Sequence, residues 1–277
     1  MTEKKPVIEV KDLWYTYPNG VVAIKGIDLK IMQGETVGVI GQNGSGKTTL
    51  VKHFNGLLKP TKGQVIVQGI DTKDASTPEL SKTVGYVFQN PSHQLFSRTI
   101  DEELAFGPTN LKLPPEDVEA RVEEAIEFFG LQNNRSQHPL SLSFPLKKKV
   151  SIASIYAMKP NIFILDEPTT AQDSIGIRMI GEMVEKVKKE KATIVVVSHD
   201  MRFVAEHVER AIMLWDGEVI NDGATKEIFS NFEALKKTHV HPPQITQLSQ
   251  RLSPVRPDLP ETALTIEELV APLAKAL

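Results

Sequence analysis

The 277-residue sequence contains no cysteine. That absence excludes a disulfide framework, a cysteine-ligated zinc or iron–sulfur centre, and a thiol nucleophile. Long apolar runs are missing too. A membrane-spanning helix needs roughly 18 such residues, and residues 192–198 form one of the longest stretches present. Nor is there a surplus of positive charge: 32 basic against 35 acidic side chains leave a net charge of −3, which gives no general pull toward nucleic acid. The opening Met1-Thr2-Glu3-Lys4-Lys5-Pro6 lacks the apolar stretch of a signal peptide. A soluble, intracellular, globular protein is expected, long enough for one large domain or two modest ones.

What the chain does contain is a rhythm. Residues 7–10 and 26–31 alternate as strands do, with Pro18-Asn19-Gly20 as a turn signal between them. Residues 36–40 are a β-branched run that meets the glycine-rich stretch 41–46. Residues 64–68 and 84–88 read as further strands. Residues 161–165 and 193–198 are apolar enough to be central parallel strands, buried on both faces. Between those two, residues 174–189 place apolar side chains at helical intervals. Such alternation argues for an α/β domain with a mostly parallel sheet. Residues 212–215 and 218–220, joined at Asp216-Gly217, read as a late hairpin.

From about residue 91 to 156 the rhythm changes to helices and loops. Val118, Val122, Ile126 and Phe129 recur at helical spacing between Pro114-Pro115 and Gly130. The expected organisation is therefore an α/β core over residues 1–230, with a helical subdomain inserted at about 91–156. A proline-punctuated C-terminal extension, 231–277, closes on a helix-like stretch at 266–277.

Gly41-Gln42-Asn43-Gly44-Ser45-Gly46-Lys47-Thr48 fits the phosphate-binding pattern G-x-x-x-x-G-K-[ST], and Thr49 follows it. Glycines let successive N–H groups turn inward around an anion, and a helix starting near Lys47 would aim its dipole at the same place. Lys47 would reach the β- and γ-phosphates, and the Thr48 hydroxyl would ligate Mg²⁺. A nucleotide site of this kind needs acids from a neighbouring strand. Ile162-Phe163-Ile164-Leu165-Asp166-Glu167 supplies them: Asp166 to hold Mg²⁺ through water, Glu167 to polarise the attacking water.

With these motifs in place, the chain over roughly residues 7–230 resembles the P-loop ATPase subunits of ATP-binding-cassette (ABC) transporters. The resemblance implies bound ATP and Mg²⁺, with an antiparallel β part beside the mostly parallel sheet. It makes Tyr17 the aromatic that stacks on adenine and Gln89 the glutamine that senses Mg²⁺ and the attacking water. Asp173 becomes the family's D-loop aspartate, counted with the cofactor-binding residues. His199, in Ser198-His199-Asp200, becomes the switch histidine at the γ-phosphate, a group whose protonation could tune local charge. Ser143 is the retained serine of the family's signature.

The rest of that signature departs from the family. Where Leu-Ser-Gly-Gly-Gln is usual, this chain has Leu142-Ser143-Phe144-Pro145-Leu146, followed by three lysines, 147–149. In the family two subunits sandwich ATP, and each signature caps the nucleotide on the other's P-loop. Phe144 adds bulk, and Pro145 removes an N–H donor although a first-turn proline leaves the helix intact. Two readings of the lysines stand: solvated surface charges, or substitutes that contact phosphate. The resemblance implies either a dimer of this chain or a pair with a paralogue whose signature is intact. In the latter case the site built on this chain's signature would be the slower one.

Asn90-Pro91-Ser92-His93-Gln94-Leu95-Phe96-Ser97, the stretch 99–108, and Pro242-Pro243-Gln244-Ile245-Thr246 resemble the energy-coupling-factor (ECF) importers of vitamins, cobalt and nickel. That likeness implies a peripheral protein on the cytoplasmic face of the cell membrane, working with an integral membrane coupling subunit and a separate substrate-binding membrane subunit. Phe96, Leu104 and Phe106 are then either the core face of the helical subdomain or apolar anchors for a helix of the coupling subunit. The extension is either a strap on its own domain or a contact between paired ATPases. Alternative functions are a nucleotide-binding regulatory subunit with little hydrolysis of its own, and the ATPase of another ABC transporter class.

Overall fold

The structure is a computed structural model and describes residues 5–275. Expectations that rest on residues 1–4 and 276–277 lie outside it. Ten strands are described: β1 Pro6–Thr16, β2 Val22–Met32, β3 Thr36–Ile40, β4 Lys62–Val67, β5 Ile70–Asp71, β6 Val84–Val87, β7 Ile162–Asp166, β8 Thr193–Val197, β9 Arg210–Trp215 and β10 Glu218–Ala224. They form a six-stranded sheet of order β10-β9-β3-β8-β7-β6 and a four-stranded sheet of order β2-β1-β4-β5. The larger sheet is parallel except for the β9–β10 hairpin, and the smaller is antiparallel.

Every residue of β3, β6, β7 and β8 is buried. This is why those stretches read as continuous apolar runs: both faces of the sheet are covered. On one face, Val87, Phe163, Leu165 and Val196 pack against helices. On the other, Val39, Ile164 and Val197 share a core with the antiparallel sheet and with Leu50 and Phe54.

Register decides where the chemistry falls. Val39 pairs with Val197, Asp166 with Val197, and Leu165 with Val87. The segments that leave β3, β7, β8 and β6 therefore emerge side by side at the carboxyl edge, the usual position for ligands in such sheets.

β1 and β2 run well beyond residues 7–10 and 26–31. Their register shifts near Asp12, which has φ +45°, and again at Leu13/Trp14, where Gly26, between their partners Ile27 and Lys25, has φ +68° with the Trp14 ring packed over it. A bulge inserts one residue and inverts the in–out alternation, so a period-2 pattern stops there although the strand continues.

The helices are α1 Lys47–Phe54, α2 Thr77–Leu80, α3 Ile100–Asn110, α4 Pro115–Phe128, α5 Phe144–Met158, α6 Ser174–Lys189, α7 Met201–His207, α8 Thr225–Ser230, α9 Phe232–Thr238, α10 Gln244–Leu252 and α11 Ile266–Lys275. α6 spans the expected residues because both ends carry signals. Asp173 Oδ1 accepts from the Gly176 N–H at 2.8 Å, and Lys186, Lys188 and Lys189 complement the dipole at the far end. α3, α4 and α5 pack on one another through Leu104, Ile126, Phe129 and Tyr156, all buried. Leu104 is thus no surface anchor. It lies four residues after buried Ile100, on the face of α3 turned inward.

Ala234, Leu235 and Val240 still belong to the main core, whereas Leu259, Ala263 and Leu269 form a small cluster of their own. The expected helix at the end of the chain is present as α11, and α10 precedes it. Pro242-Pro243 hid α10 from a reading that took prolines as breaks; Pro243 instead stands at its start.

Candidate functional site

The loop after β3 can be built only with glycine at its first position. Gly41 has φ +145°, and a Cβ there would overlap the Leu214 carbonyl and lie 2.7 Å from Ser45 Oγ. Gly46, φ +102°, immediately precedes α1, and a Cβ there would lie 2.8 Å from the Ala23 carbonyl oxygen. The first N–H groups of α1 have no partner within the helix and open onto the loop. Ser45 Oγ is buried and makes no hydrogen bond. An orphaned buried hydroxyl next to the unpaired first-turn amides of α1 is a fitting environment for phosphate oxygens.

Lys47 is buried, and its ammonium donates to the carbonyls of Gly41 and Gln42, both at 2.8 Å. Burial lowers its pKa, opposed by the charges of Glu167 and Asp166. The Thr48 hydroxyl donates to the Asp166 carboxylate, 3.0 Å from Oδ1 and 3.1 Å from Oδ2. Burial pushes the Asp166 carboxyl above its ordinary value, and hydrogen bonds from Tyr86 and Thr48 oppose that shift. Hydroxyl and carboxylate side by side, completed by phosphate oxygens and water, are the hard oxygen donors that Mg²⁺ takes. The residues present fit that ion. Among the described residues no cluster of three or more acidic or histidine side chains offers another metal site.

Glu167 follows Asp166 with φ +49°, a left-handed conformation that costs a non-glycine residue about 1–3 kcal/mol. The turn directs its carboxylate toward β8. There Oε2 lies 2.7 Å from His199 Nδ1 and accepts a longer bond, 3.4 Å, from the His199 N–H. The carboxylate is buried while the imidazole is largely exposed.

A groove of about 570 Å³ opens over these groups, with Tyr17, Asn43, Gly44, Thr49, Gln89 and Glu167 on its walls. The Tyr17 hydroxyl lies 2.9 Å from Thr49 Oγ1, and its ring meets Tyr15 edge-to-face at 4.9 Å. Of the expected site residues, Gly41, Ser45, Asp166 and His199 do not line this groove, His199 facing a smaller neighbouring one with Gly41 and Asn43, and two more lie outside it as well. Ser143, at the start of α5, and Asp173, at the start of α6, are both exposed and do not line it.

Two residues of the site escaped the sequence reading. Tyr86 Oη donates to Asp166 Oδ2 at 2.9 Å inside the sheet. The other is Lys148, which corrects the view of residues 147–149 as surface or phosphate-seeking lysines. Its side chain has no exposed surface, and its ammonium donates to the carbonyls of Phe88 (2.8 Å), Gln89 (3.2 Å) and Asp166 (3.0 Å). Burial pulls its pKa down to about 8 against the attraction of Asp166 and Glu167. The ammonium cannot serve a partner's phosphate, because it already ties α5 to the ends of β6 and β7. A signal was present: Ser151 and Ile152, three and four positions on, are buried and share its helical face. Lys148→Met should lower unfolding free energy by about 2–4 kcal/mol, since buried carbonyls lose charged donors. Urea melts of the two proteins would measure it, and a difference under about 0.5 kcal/mol, the usual size for surface positions, would refute the assignment.

A phosphate loop after β3, acids at the end of β7 and a histidine after β8 define a P-loop nucleoside triphosphatase of the cassette type. The chain belongs to the ABC transporter family, whose description matches it over residues 24–170. It is 41% identical to the energy-coupling factor transporter ATP-binding protein EcfA of Methanocaldococcus jannaschii over 249 residues, 89% of each chain. Identity is 42% over 270 residues to EcfA1 of Caldanaerobacter subterraneus subsp. tengcongensis, covering 95% of this chain and 97% of that one. Among solved structures it resembles cbiO1 of Clostridium perfringens, part of the cbiONQ transporter complex. There the TM-score is 0.73 at 35% identity, covering 90% of this chain and 100% of the other. A dimeric cassette with ADP and Pi bound, MJ0796, also matches, with TM-score 0.73 at 30% identity over 79% of this chain and 98% of that one. The chain is an ATP-hydrolysing transporter subunit.

Proposed function

We propose that the chain is the Mg²⁺-dependent ATPase of an energy-coupling-factor importer, bound peripherally at the cytoplasmic face of the membrane. The observation that carries the hydrolytic part is the pair of contacts Thr48–Asp166 and Glu167–His199, with Thr48 and Glu167 lining one groove. In this reading Lys47, the loop amides and Ser45 hold the phosphates, and Tyr17 supports the adenine. Thr48, Asp166 and Gln89 hold the metal, which when bound neutralises charge on the β- and γ-phosphates. Glu167 polarises the attacking water, and His199 keeps Glu167 oriented while facing the γ-phosphate. Phosphate release by the full chain with ATP, lost on chelating Mg²⁺ with EDTA, is the direct test. Turnover that persists in EDTA would overturn the metal assignment.

Assembly with membrane partners is supported by the names of the similar proteins and by a second groove. Among the described residues no helix is long and apolar enough to cross a membrane. A groove of about 710 Å³ between α2, β6 and α3 is lined by Leu57, Phe88, Phe96, Phe106, Ile155 and Met158 among others. Phe96 and Phe106 are 58% and 49% exposed and meet edge-to-face at 4.7 Å. Two aromatic rings left half in water suit an apolar helix face from a coupling subunit. Phe96→Glu should cut recovery of the membrane complex at least tenfold, a penalty of about 1.4 kcal/mol. ATP affinity should be unchanged; if it falls instead, Phe96 belongs to the folded core.

Residues 1–230 are read as the ATPase domain, with the helices at about 91–156 as its subdomain. Residues 231–277 are read as an extension that contacts a paired ATPase, either a second copy or a paralogue. The separate small cluster around Leu259 supports that division for the part beyond Val240, whereas Ala234, Leu235 and Val240 pack into the main core. The altered signature favours a second reading, a nucleotide-binding regulatory subunit, but the Glu167–His199 contact speaks for hydrolysis.

A further inference from the structure

Tyr86 sits on β6, is 5% exposed, and pairs across the sheet with Ile164, two residues before Asp166. Its ring is wedged edge-to-face against Phe88 at 4.8 Å, so backbone pairing and packing fix where its hydroxyl points. That hydroxyl lies 2.9 Å from Asp166 Oδ2. A carboxylate is nearly symmetric and rotates in a broad, twofold well. The Thr48 hydroxyl does not break the symmetry, because it lies 3.0 and 3.1 Å from the two oxygens. Tyr86 touches only one of them.

We propose that Tyr86 is a positioning residue for the metal site, its hydroxyl pinning Asp166 Oδ2 so that the remaining lone pairs face Thr48 and the ion. The proposal rests on the reading of Thr48 and Asp166 as metal-holding residues. It gives Tyr86 a role that a buried phenylalanine could not fill. Among the described residues the neighbouring groups agree. Asp166 is 1% exposed and takes its side-chain hydrogen bonds from Thr48 and Tyr86; Lys148 binds its main-chain carbonyl and leaves the carboxylate to those two. Partners that orient a ligating carboxylate typically change metal affinity by about 10–100-fold when removed.

The test uses the full chain with a non-hydrolysable ATP analogue and Mn²⁺ as the metal probe, free Mn²⁺ being read by electron paramagnetic resonance. Tyr86→Phe should weaken Mn²⁺ about tenfold. Metal-free analogue binding in EDTA should match that of the unaltered chain. Replacing Tyr86 by 4-aminophenylalanine, which keeps an N–H donor at the same reach from the ring, should recover part of the loss. Asp166→Asn is measured alongside. Should it bind Mn²⁺ normally, the metal-site reading itself fails. Should it lose Mn²⁺ while Tyr86→Phe does not, only the Tyr86 proposal fails. A loss of analogue binding that is equal with and without Mn²⁺ in both Tyr86 variants would make the residue merely structural, which also overturns the proposal.

Discussion

Glu167→Gln is expected to leave ATP binding intact while lowering turnover by about two to four orders of magnitude, the usual contribution of a positioned general base. On the proposed reading binding resides elsewhere, in Lys47, Thr48, Ser45 and the loop amides; the side-chain bonds of Lys47 and Thr48 go to Gly41, Gln42 and Asp166 and not to the Glu167 carboxylate. Glutamine keeps the shape and an oxygen that can still accept from His199 Nδ1, now 2.7 Å from Oε2. What it loses is the negative charge that, in the proposed role, would draw a proton from water. The left-handed backbone at Glu167 persists only because its surroundings hold it, and the Glu167 N–H to Val197 carbonyl bond at 2.8 Å is part of that hold. An isosteric change leaves this intact. Equilibrium binding of ATP and steady-state phosphate release on the same preparation separate the two effects. Turnover above one tenth of the original would remove Glu167 as the polarising residue, and a parallel loss of binding would point to local misfolding.

How far the site could be read beforehand depended on whether a residue's job is local. Gly41, Gly46, Lys47 and Thr48 act through one loop and the helix that follows it, so contiguous spacing reveals them. Asp166 ends β7 and His199 follows β8 by two residues, the apolar runs of both strands announce them, and parallel register brings those ends together. Tyr86 and Lys148 work across elements: a phenol on β6 reaches β7, and an ammonium on α5 reaches the ends of both strands. Nothing contiguous marks such contacts. Lys148 was further hidden by its neighbours, because a run of three lysines suggests a solvated face. Only one of them lies on the buried side of α5. The fold showed the same division. Uninterrupted strands such as β3 and the well-capped α6 were legible end to end, while β1 and β2 were cut short at the point where a bulge inverts their alternation.

The altered signature should show itself as a dependence on the partner. α5 begins at Phe144 with Ser143 at its cap, and the Ser143 side chain makes no cap hydrogen bond. Its hydroxyl is therefore free for a phosphate on a paired subunit. By helix geometry the first-turn N–H groups are also free, but Pro145 contributes none. Phe144 is 40% exposed at the same end, where its ring would hold an approaching phosphate away from the backbone. The Pro145 carbonyl meanwhile accepts from Gln172 Nε2 at 3.2 Å, which ties this end of α5 to the segment before α6. Losing one preorganised donor to a developing anionic charge typically costs about 10²–10³ in rate. The intact P-loop, Asp166 and Glu167 of this chain carry no such handicap. Phosphate release per P-loop should accordingly be slow for the chain alone and rise about 10²-fold or more when it is reconstituted with a paralogue bearing Leu-Ser-Gly-Gly-Gln. In that pair, Glu167→Gln in this chain should remove most of the activity, whereas the equivalent change in the paralogue should remove little. Replacing both Phe144→Gly and Pro145→Gly should raise the rate of the chain alone in the same direction. If the unpaired chain already turns over as fast per site as the reconstituted pair, Phe144 and Pro145 do not limit the reaction, and a dimer of two copies of this chain becomes the working enzyme.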